Sequence, residues 1–219
     1  MSTNWFDNLQ SFLRVHQWAW KFACKAHEDY LLCRLGLLHG LWSALEMSTQ
    51  AIEKLLKSYL LFSDNSLNGD PTTLLKVVSN TAKQRGRQRE FGHDVETCLS
   101  LAILKGLSVS NTTQDAIKKV NELYGLRYPD SGGPESLSNY IIKEIDTAIF
   151  EIWDRFRDFN NDYYYVSGIL KPAYVYFTNQ SGYTAANFLI LTQDNVAYSD
   201  RKSDIESEIQ IRISLKKGR

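Results

Sequence analysis

The sequence contains few of the residues that mark a disulfide-rich, a collagen-like or a disordered chain. Its 219 residues include three Cys, 12 Gly and four Pro. Cys24, Cys33 and Cys98 form no CxxC pair, and their odd number argues against a disulfide framework or a zinc site. Because 43% of the residues are apolar, the chain can bury a core without cross-links. This composition therefore predicts a globular protein and excludes a fibrous or unfolded one.

The sequence also lacks an excess of charge of either sign. Lys and Arg together number 25, as do Asp and Glu, so the formal net charge is zero. This balance excludes binding of nucleic acids or anionic membranes through net charge, although a local basic patch remains compatible with it. Residues 1–7 lack the pattern of a leader peptide, and Arg34 and His39 interrupt the longest apolar stretch, Tyr30–Leu45. We therefore expect a cytoplasmic protein with no membrane contact.

Apolar residues recur every three or four positions through most of the chain, which is typical of amphipathic helices. The clearest pattern runs from Glu28 to Phe62 and predicts one long helix with a seven-residue repeat. The other predicted helices cover residues 5–25, 70–78, 92–106, 112–125 and 134–159. The predicted fold class is mainly α, with an antiparallel up-and-down helical bundle over residues 1–162.

Residues 163–219 show a different pattern. Ile209, Ile211, Ile213 and Leu215 alternate with polar residues, which is the period of a strand. Two further short runs, residues 174–178 and 187–192, are rich in residues that favour strands. We therefore predict a separate, β-rich C-terminal extension.

The common catalytic motifs are absent. The sequence contains no phosphate-binding P-loop, no Gly-rich dinucleotide turn and no hydrolase nucleophile elbow. His16, His27 and His39 have no partner at metal-ligand spacing, so we expect structural roles for them, and we expect no metal and no cofactor. Carboxylates such as Glu144 and Asp146 are too common on helix surfaces to indicate an acid–base pair.

One basic segment, residues 83–93, stands out as a candidate ligand site. Lys83, Arg85, Arg87 and Arg89 fall within seven residues and are followed by His93 at a predicted helix start. Cations next to the positive end of a helix dipole suit a phosphate group. Two alternatives remain open, namely a solvated basic loop and a structural role in which Arg87 or Arg89 holds a nearby carboxylate.

Three segments resemble motifs of the HEPN domain family. Ala51–Leu60 is similar to the family's helix with Ala, Glu and Lys at fixed spacing, Gly92–Leu99 to its Gly-His-Asp helix start, and Tyr124–Asp130 to its Arg-Tyr-Pro segment. The similarity covers about residues 28–160. It implies a four- or five-helix bundle that is often dimeric. It also implies RNA cleavage, or binding of RNA or nucleotides, in defence or toxin–antitoxin systems.

The chain departs from the catalytic members of that family. Those members carry an Arg followed within a few residues by a His on a late helix, whereas here no His follows His93. Arg87 and His93 match the spacing formally, but His93 corresponds to the helix-start position.

Three hypotheses about the function follow from these observations. The first is a non-catalytic protein that binds RNA, a nucleotide or a protein through residues 83–93. The second is a metal-independent endoribonuclease that uses Arg87 and His93 across a homodimer. The third is an interaction module whose Trp-rich first helix docks a companion nucleotidyltransferase-like protein.

We predict that the chain is not an efficient ribonuclease, because metal-free cleavage needs a positioned base together with a cation at the phosphate. An RNA cleavage assay with a chelator present should show no turnover by the parent protein. His93→Ala should instead lower the melting temperature, since His93 begins a helix in this interpretation. Cleavage by the parent that both His93→Ala and Arg87→Ala abolish would contradict the prediction and support the nuclease.

Overall fold

The computed structural model describes residues 4–67, 69–86, 94–123, 140–179 and 181–217. These ranges are predominantly helical and contain no strand, so the prediction of a mainly α fold is confirmed. The helices are α1 (Trp5–Val15), α2 (Gln17–Leu38), α3 (Leu45–Ser63), α4 (Pro71–Gln84), α5 (Val95–Leu104), α6 (Asn111–Leu123), α7 (Tyr140–Asp154), α8 (Asn161–Val166), α9 (Lys171–Asn179), α10 (Gly182–Thr192), α11 (Val196–Ser199) and α12 (Lys202–Lys217). No helix in these ranges is long and apolar enough to cross a lipid bilayer.

Helix α3 is the centre of the bundle. It packs against α2, α5, α6 and α7, and most of its side chains are buried. The apolar positions Ile52, Leu55 and Leu56 are fully enclosed. Because α3 is covered on nearly every side, even its polar residues Glu53 and Lys57 lie in the interior.

The prediction of one long helix over residues 28–62 is wrong. The chain turns between α2 and α3, and Ser58 of α3 donates a hydrogen bond of 2.7 Å to the Ala19 carbonyl near the start of α2. The turn depends on two glycines. Gly40 has a φ of +72°, which side chains disfavour, and a Cβ on Gly36 would lie 2.3 Å from the Ala44 Cβ. The seven-residue pattern therefore belongs to two antiparallel helices.

Several predicted helix ends are confirmed. Asp70 caps α4 by accepting hydrogen bonds from the backbone N–H groups of Thr72 and Thr73, and Pro71 occupies the first helical position. Helix α5 begins directly after Asp94, and Gly106 follows its end with a φ of +97°. These ends are local features, so the sequence was sufficient to locate them.

The prediction of a β-rich extension is also wrong, because the described residues of the tail, 163–179 and 181–217, are helical. In α12 the buried apolar residues are Ile205, Ile209 and Ile213, which are four positions apart. Ile211 and Leu215 are 49% and 56% exposed. The apparent alternation thus mixed an inward helical row with two outward side chains.

The tail packs on the bundle and shares its core. Stacked and edge-on rings join α1, α3, α7 and α8, with centroids 5.4 Å apart for Phe12 and Phe62 and 4.5 Å apart for Trp153 and Phe156. Tyr163 of α8 contacts this aromatic cluster and is fully buried. The segment after α8 passes close to the ring of Trp153, which brings the backbone of Gly168 against it.

We predict that Gly168→Ala destabilises the protein by at least about 2 kcal/mol. Gly168 has a φ of +47°, and an added Cβ would lie 2.0 Å from the ring of Trp153, which is itself fully buried. Gly182→Ala is the matched control, because a Cβ there meets nothing within 4 Å. Urea unfolding of the two variants measures the difference. Equal stability of both variants would show that the close approach at Trp153 is not restrictive.

Candidate functional site

The basic segment begins at the end of α4. Lys83 lies in the last turn of that helix, and Arg85 is the residue that ends it. Both side chains are exposed, and neither forms an ion pair within the part of the chain that is described. The other predicted ligand residues, Arg87, Arg89 and His93, lie outside the described residues.

The two described cations lie at the negative end of a helix dipole, contrary to the expected arrangement. The sequence suggested that the cations would add to the positive N-terminal end of the following helix. Lys83 and Arg85 instead lie at the C-terminus of α4. A positive charge there stabilises the helix, and the negative end of the helix dipole offsets part of the field of the two cations. Any added effect of the α5 N-terminus must therefore act closer to Asp94.

The two motif segments of α3 and α5 pack against each other. Lys57 donates a hydrogen bond of 2.6 Å to Glu53 inside the core, and Thr97 donates one of 2.7 Å to the fully buried Asp94. Burial raises the pKa of Cys98 to about 12, with smaller influences from Lys57, Glu53 and Asp94. Lys57, Glu53 and Asp94 therefore all lie within electrostatic range of the Cys98 thiol, in the buried interior of the bundle.

A second buried polar cluster was missed in the sequence. The Arg34 guanidinium in α2 forms an ion pair with Asp146 of α7, and the two side chains are 0% and 1% exposed. Arg34 also donates hydrogen bonds to two backbone carbonyls at the end of α10. One is the Ile190 carbonyl, at 2.8 Å, and the other is the Gln193 carbonyl. The sequence held one trace of this cluster, since an Arg within the apolar stretch Tyr30–Leu45 needs a buried partner.

Tyr30 and Asn195 complete this network, which we call the Arg34 network. The Tyr30 hydroxyl donates to Asp146 at 2.7 Å and accepts a hydrogen bond of 3.0 Å from the Asn195 amide. Asn195 also caps α11, because its carbonyl oxygen accepts from the Tyr198 N–H at 3.0 Å. Four helices are thus joined through side chains that satisfy one another.

Burial acts on every titratable group of the Arg34 network. Burial by itself lowers the pKa of the Arg34 guanidinium. The neighbouring Tyr30 and Asp146 raise this pKa by more, so that it lies above its ordinary value. Burial raises the pKa of Tyr30 well above its ordinary range, and the Asp146 charge adds to this, so the hydroxyl stays protonated and donates. Burial also raises the pKa of Asp146, against the opposing effect of Arg34 and Tyr30, and we treat the pair as ionised.

The Arg34 network is built for structure rather than chemistry. Arg34 and Asp146 have almost no contact with solvent, and their polar atoms are occupied by one another and by backbone carbonyls. A substrate would have to displace these partners to reach them. We therefore interpret the network as the connection between the tail and the bundle.

The three histidines His16, His27 and His39 lie in or at the ends of α1 and α2. His16 lies between α1 and α2 and contacts the rings of Phe12 and Phe62. His39 ends α2. His27 is buried in α2, with its Nδ1 atom 2.8 Å from the Cys24 carbonyl oxygen. Within the described ranges, no group of three or more His, Cys, Asp or Glu side chains is placed to hold a metal ion.

Comparison with known proteins does not identify the chain: no family model, no curated protein and no solved structure matches it. The resemblance to the HEPN family consequently depends on the three sequence segments. Two of these segments have described residues, on α3 and α5, and those residues pack together as set out above.

We predict that Asp146→Asn destabilises the protein by about 3–5 kcal/mol, since it leaves the Arg34 charge buried without a counter-charge. Asp115→Asn is the control, because its ion pair with Lys118 is exposed and should contribute less than about 1 kcal/mol. Chemical unfolding at neutral pH measures both. A loss at Asp146 no larger than the loss at Asp115 would remove the network from its proposed structural role.

Proposed function

We propose that the protein is a non-catalytic, HEPN-like helical bundle that binds the phosphates of RNA or of a nucleotide through the basic segment. The observation that supports this best is that Lys83 and Arg85 are two exposed cations at close spacing, followed by two more Arg residues in the sequence. Both cations are exposed and neither has an ion-pair partner in the described part of the chain. Cations that are not neutralised by the protein are available to phosphate oxygens. We place this activity in a defence or toxin–antitoxin context, as the family resemblance implies.

The packing of α3 against α5 supports the same proposal. Glu53 and Lys57 belong to the first motif segment and Asp94 to the second, and all three influence the titration of Cys98. Residues of both motifs thus contribute to one buried charged cluster at the contact between α3 and α5. The basic segment then has a rigid base from which it can present its side chains.

The nuclease alternative requires Arg87 and His93 of two copies to meet, and both residues lie outside the described ranges. The cleavage assay given above tests it directly. We favour the binding protein because a cleavage reaction needs a base as well as a cation, and the sequence offers no His after His93 to supply one on a late helix.

The interaction-module alternative receives less support from the first two helices. Phe12, Trp20 and Phe22 pack against the core, as does Trp5, so most of the aromatic side chains at this end are engaged within the chain. Trp18 is 41% exposed, and the Lys21 ammonium lies 4.1 Å from its ring centre. A companion nucleotidyltransferase-like protein would therefore find one exposed indole rather than an aromatic face.

The proposal includes assembly as a homodimer, as the HEPN resemblance implies. The apolar row at residues 31–59 is used mostly inside the chain, where Leu31, Leu45 and Ile52 are buried. The described apolar side chains that remain exposed near this row are Leu32 at 54%, Leu35 at 39% and Leu41 at 58%. Light scattering at tens of micromolar protein should give twice the mass of the 25.2 kDa chain. A single-chain mass would contradict this part of the proposal.

We predict that replacing Arg85, Arg87 and Arg89 with Gln weakens binding of a single-stranded RNA oligonucleotide by about tenfold or more. The slope of log affinity against log salt should fall by about two, because each single-strand phosphate contact contributes about 0.7. Fluorescence anisotropy over a salt series measures both quantities. The melting temperature should change little, since Arg85 is exposed.

A charge-matched control separates the basic segment from the total charge. Arg14, Lys76 and Lys202 are exposed and form no ion pair within the described ranges. Replacing these three with Gln gives the same net charge and should preserve both affinity and salt slope. Equal losses in the two triple variants, or no RNA binding by the parent, would contradict the proposal.

A further inference from the structure

A cavity of about 400 Å³ lies between α2, α9 and α10. Its volume is within the range of small-molecule sites. Its lining includes the apolar residues Leu31, Pro172 and Val175 together with several polar residues. The cavity exists because the helical tail packs across α2, and six of its ten lining residues, from Lys171 to Asn187, belong to the tail that the motif resemblance does not cover.

His27 presents an unused hydrogen-bond acceptor to this cavity. Its side chain lines the cavity although the residue is only 8% exposed. The Nδ1 atom must carry a hydrogen, because its partner, the Cys24 carbonyl oxygen, can only accept. Burial lowers the pKa of His27, and the positive charge of Lys171 lowers it further. The Cys24 carbonyl, Glu28 and Asp29 act in the opposite direction but do not outweigh burial. The ring is therefore neutral at pH 7, and its Nε2 lone pair has no protein partner within the described ranges.

Lys171 supplies one uncompensated positive charge. It lies half-buried at the first residue of α9, where the helix dipole is also positive, and it forms no ion pair in the described structure. The only carboxylate in the cavity lining, Glu28, already pairs with Lys25 at 2.5 Å. With the exposed Lys25–Glu28 pair counted as neutral, Lys171 leaves one positive charge at the cavity. A monoanion would neutralise it, whereas a phosphate dianion would leave an excess negative charge next to Glu28.

We infer that this cavity binds a small organic monoanion, a carboxylate with a compact apolar body and a hydroxyl group. The carboxylate pairs with the Lys171 ammonium, and the hydroxyl donates to His27 Nε2. The apolar body lies against Leu31 and Val175, and Thr184 and Asn187 supply further polar contacts at the cavity edge. This inference does not depend on RNA binding by the basic segment, because the two sites share no residue.

Isothermal titration with the three isomers of hydroxybenzoate tests the inference on the full chain. At least one isomer should bind with a Kd below about 1 mM. Benzoate, which lacks the hydroxyl donor, and phenol, which lacks the charge, should each bind at least about tenfold more weakly. Phenyl phosphate reports on the charge count, and tighter binding of this dianion than of the hydroxybenzoates would overturn the assignment of a monoanion.

Three variants locate the binding site. Lys171→Gln should weaken hydroxybenzoate binding at least about tenfold, whereas Lys202→Gln, which removes an exposed cation elsewhere, should not change it. His27→Phe should reduce the affinity for hydroxybenzoate to that for benzoate and leave the affinity for benzoate unchanged. If His27→Phe does not fold, Val175→Trp, which fills the cavity from its half-buried wall, should abolish binding of both ligands. Absence of binding by the parent, or equal affinity of the Lys171→Gln variant, would overturn the inference.

Discussion

The ion pair between Arg34 and Asp146 is the constraint on which much of this architecture depends. A guanidinium cannot be left in a protein core without a counter-charge, because the cost of removing it from water is several kcal/mol. Asp146 supplies that charge from α7, and the end of α10 supplies carbonyl oxygens that take up further N–H donors. Satisfying one buried side chain therefore requires three helices from distant parts of the chain to meet at one point.

The cavity next to His27 is a consequence of the same docking. When the end of α10 is held on Arg34, the start of α10 and the neighbouring α9 lie across the outer face of α2. Their side chains do not fill the space over His27, and Lys171 is left at its edge. The connection that stabilises the tail thus also shapes a space with an acceptor, a cation and an apolar wall.

The basic segment and the polar core illustrate two different limits of sequence reasoning. The four closely spaced cations at residues 83–89 are visible in the sequence, but whether a helix dipole strengthens or offsets them depends on which end they occupy. Lys83 and Arg85 lie at the C-terminal end of α4. Asp146 looked like a surface carboxylate, and its burial follows only from the position of Arg34, 112 residues earlier.

The sequence by itself determined the helical class, the helix starts at Asp70 and Asp94, and the position of the cations at 83–89, because each depends on neighbours within about one helical turn. Only the tertiary structure decided that residues 28–62 fold back at Gly40 and that the tail is helical. A repeat of seven residues fits one helix as well as two facing helices, and the four-residue row of Ile205, Ile209 and Ile213 overlaps a two-residue alternation. Which side chains of such a pattern face inward is decided by the surface that packs against them. For α12 and for Arg34, that surface comes from segments far away in the chain.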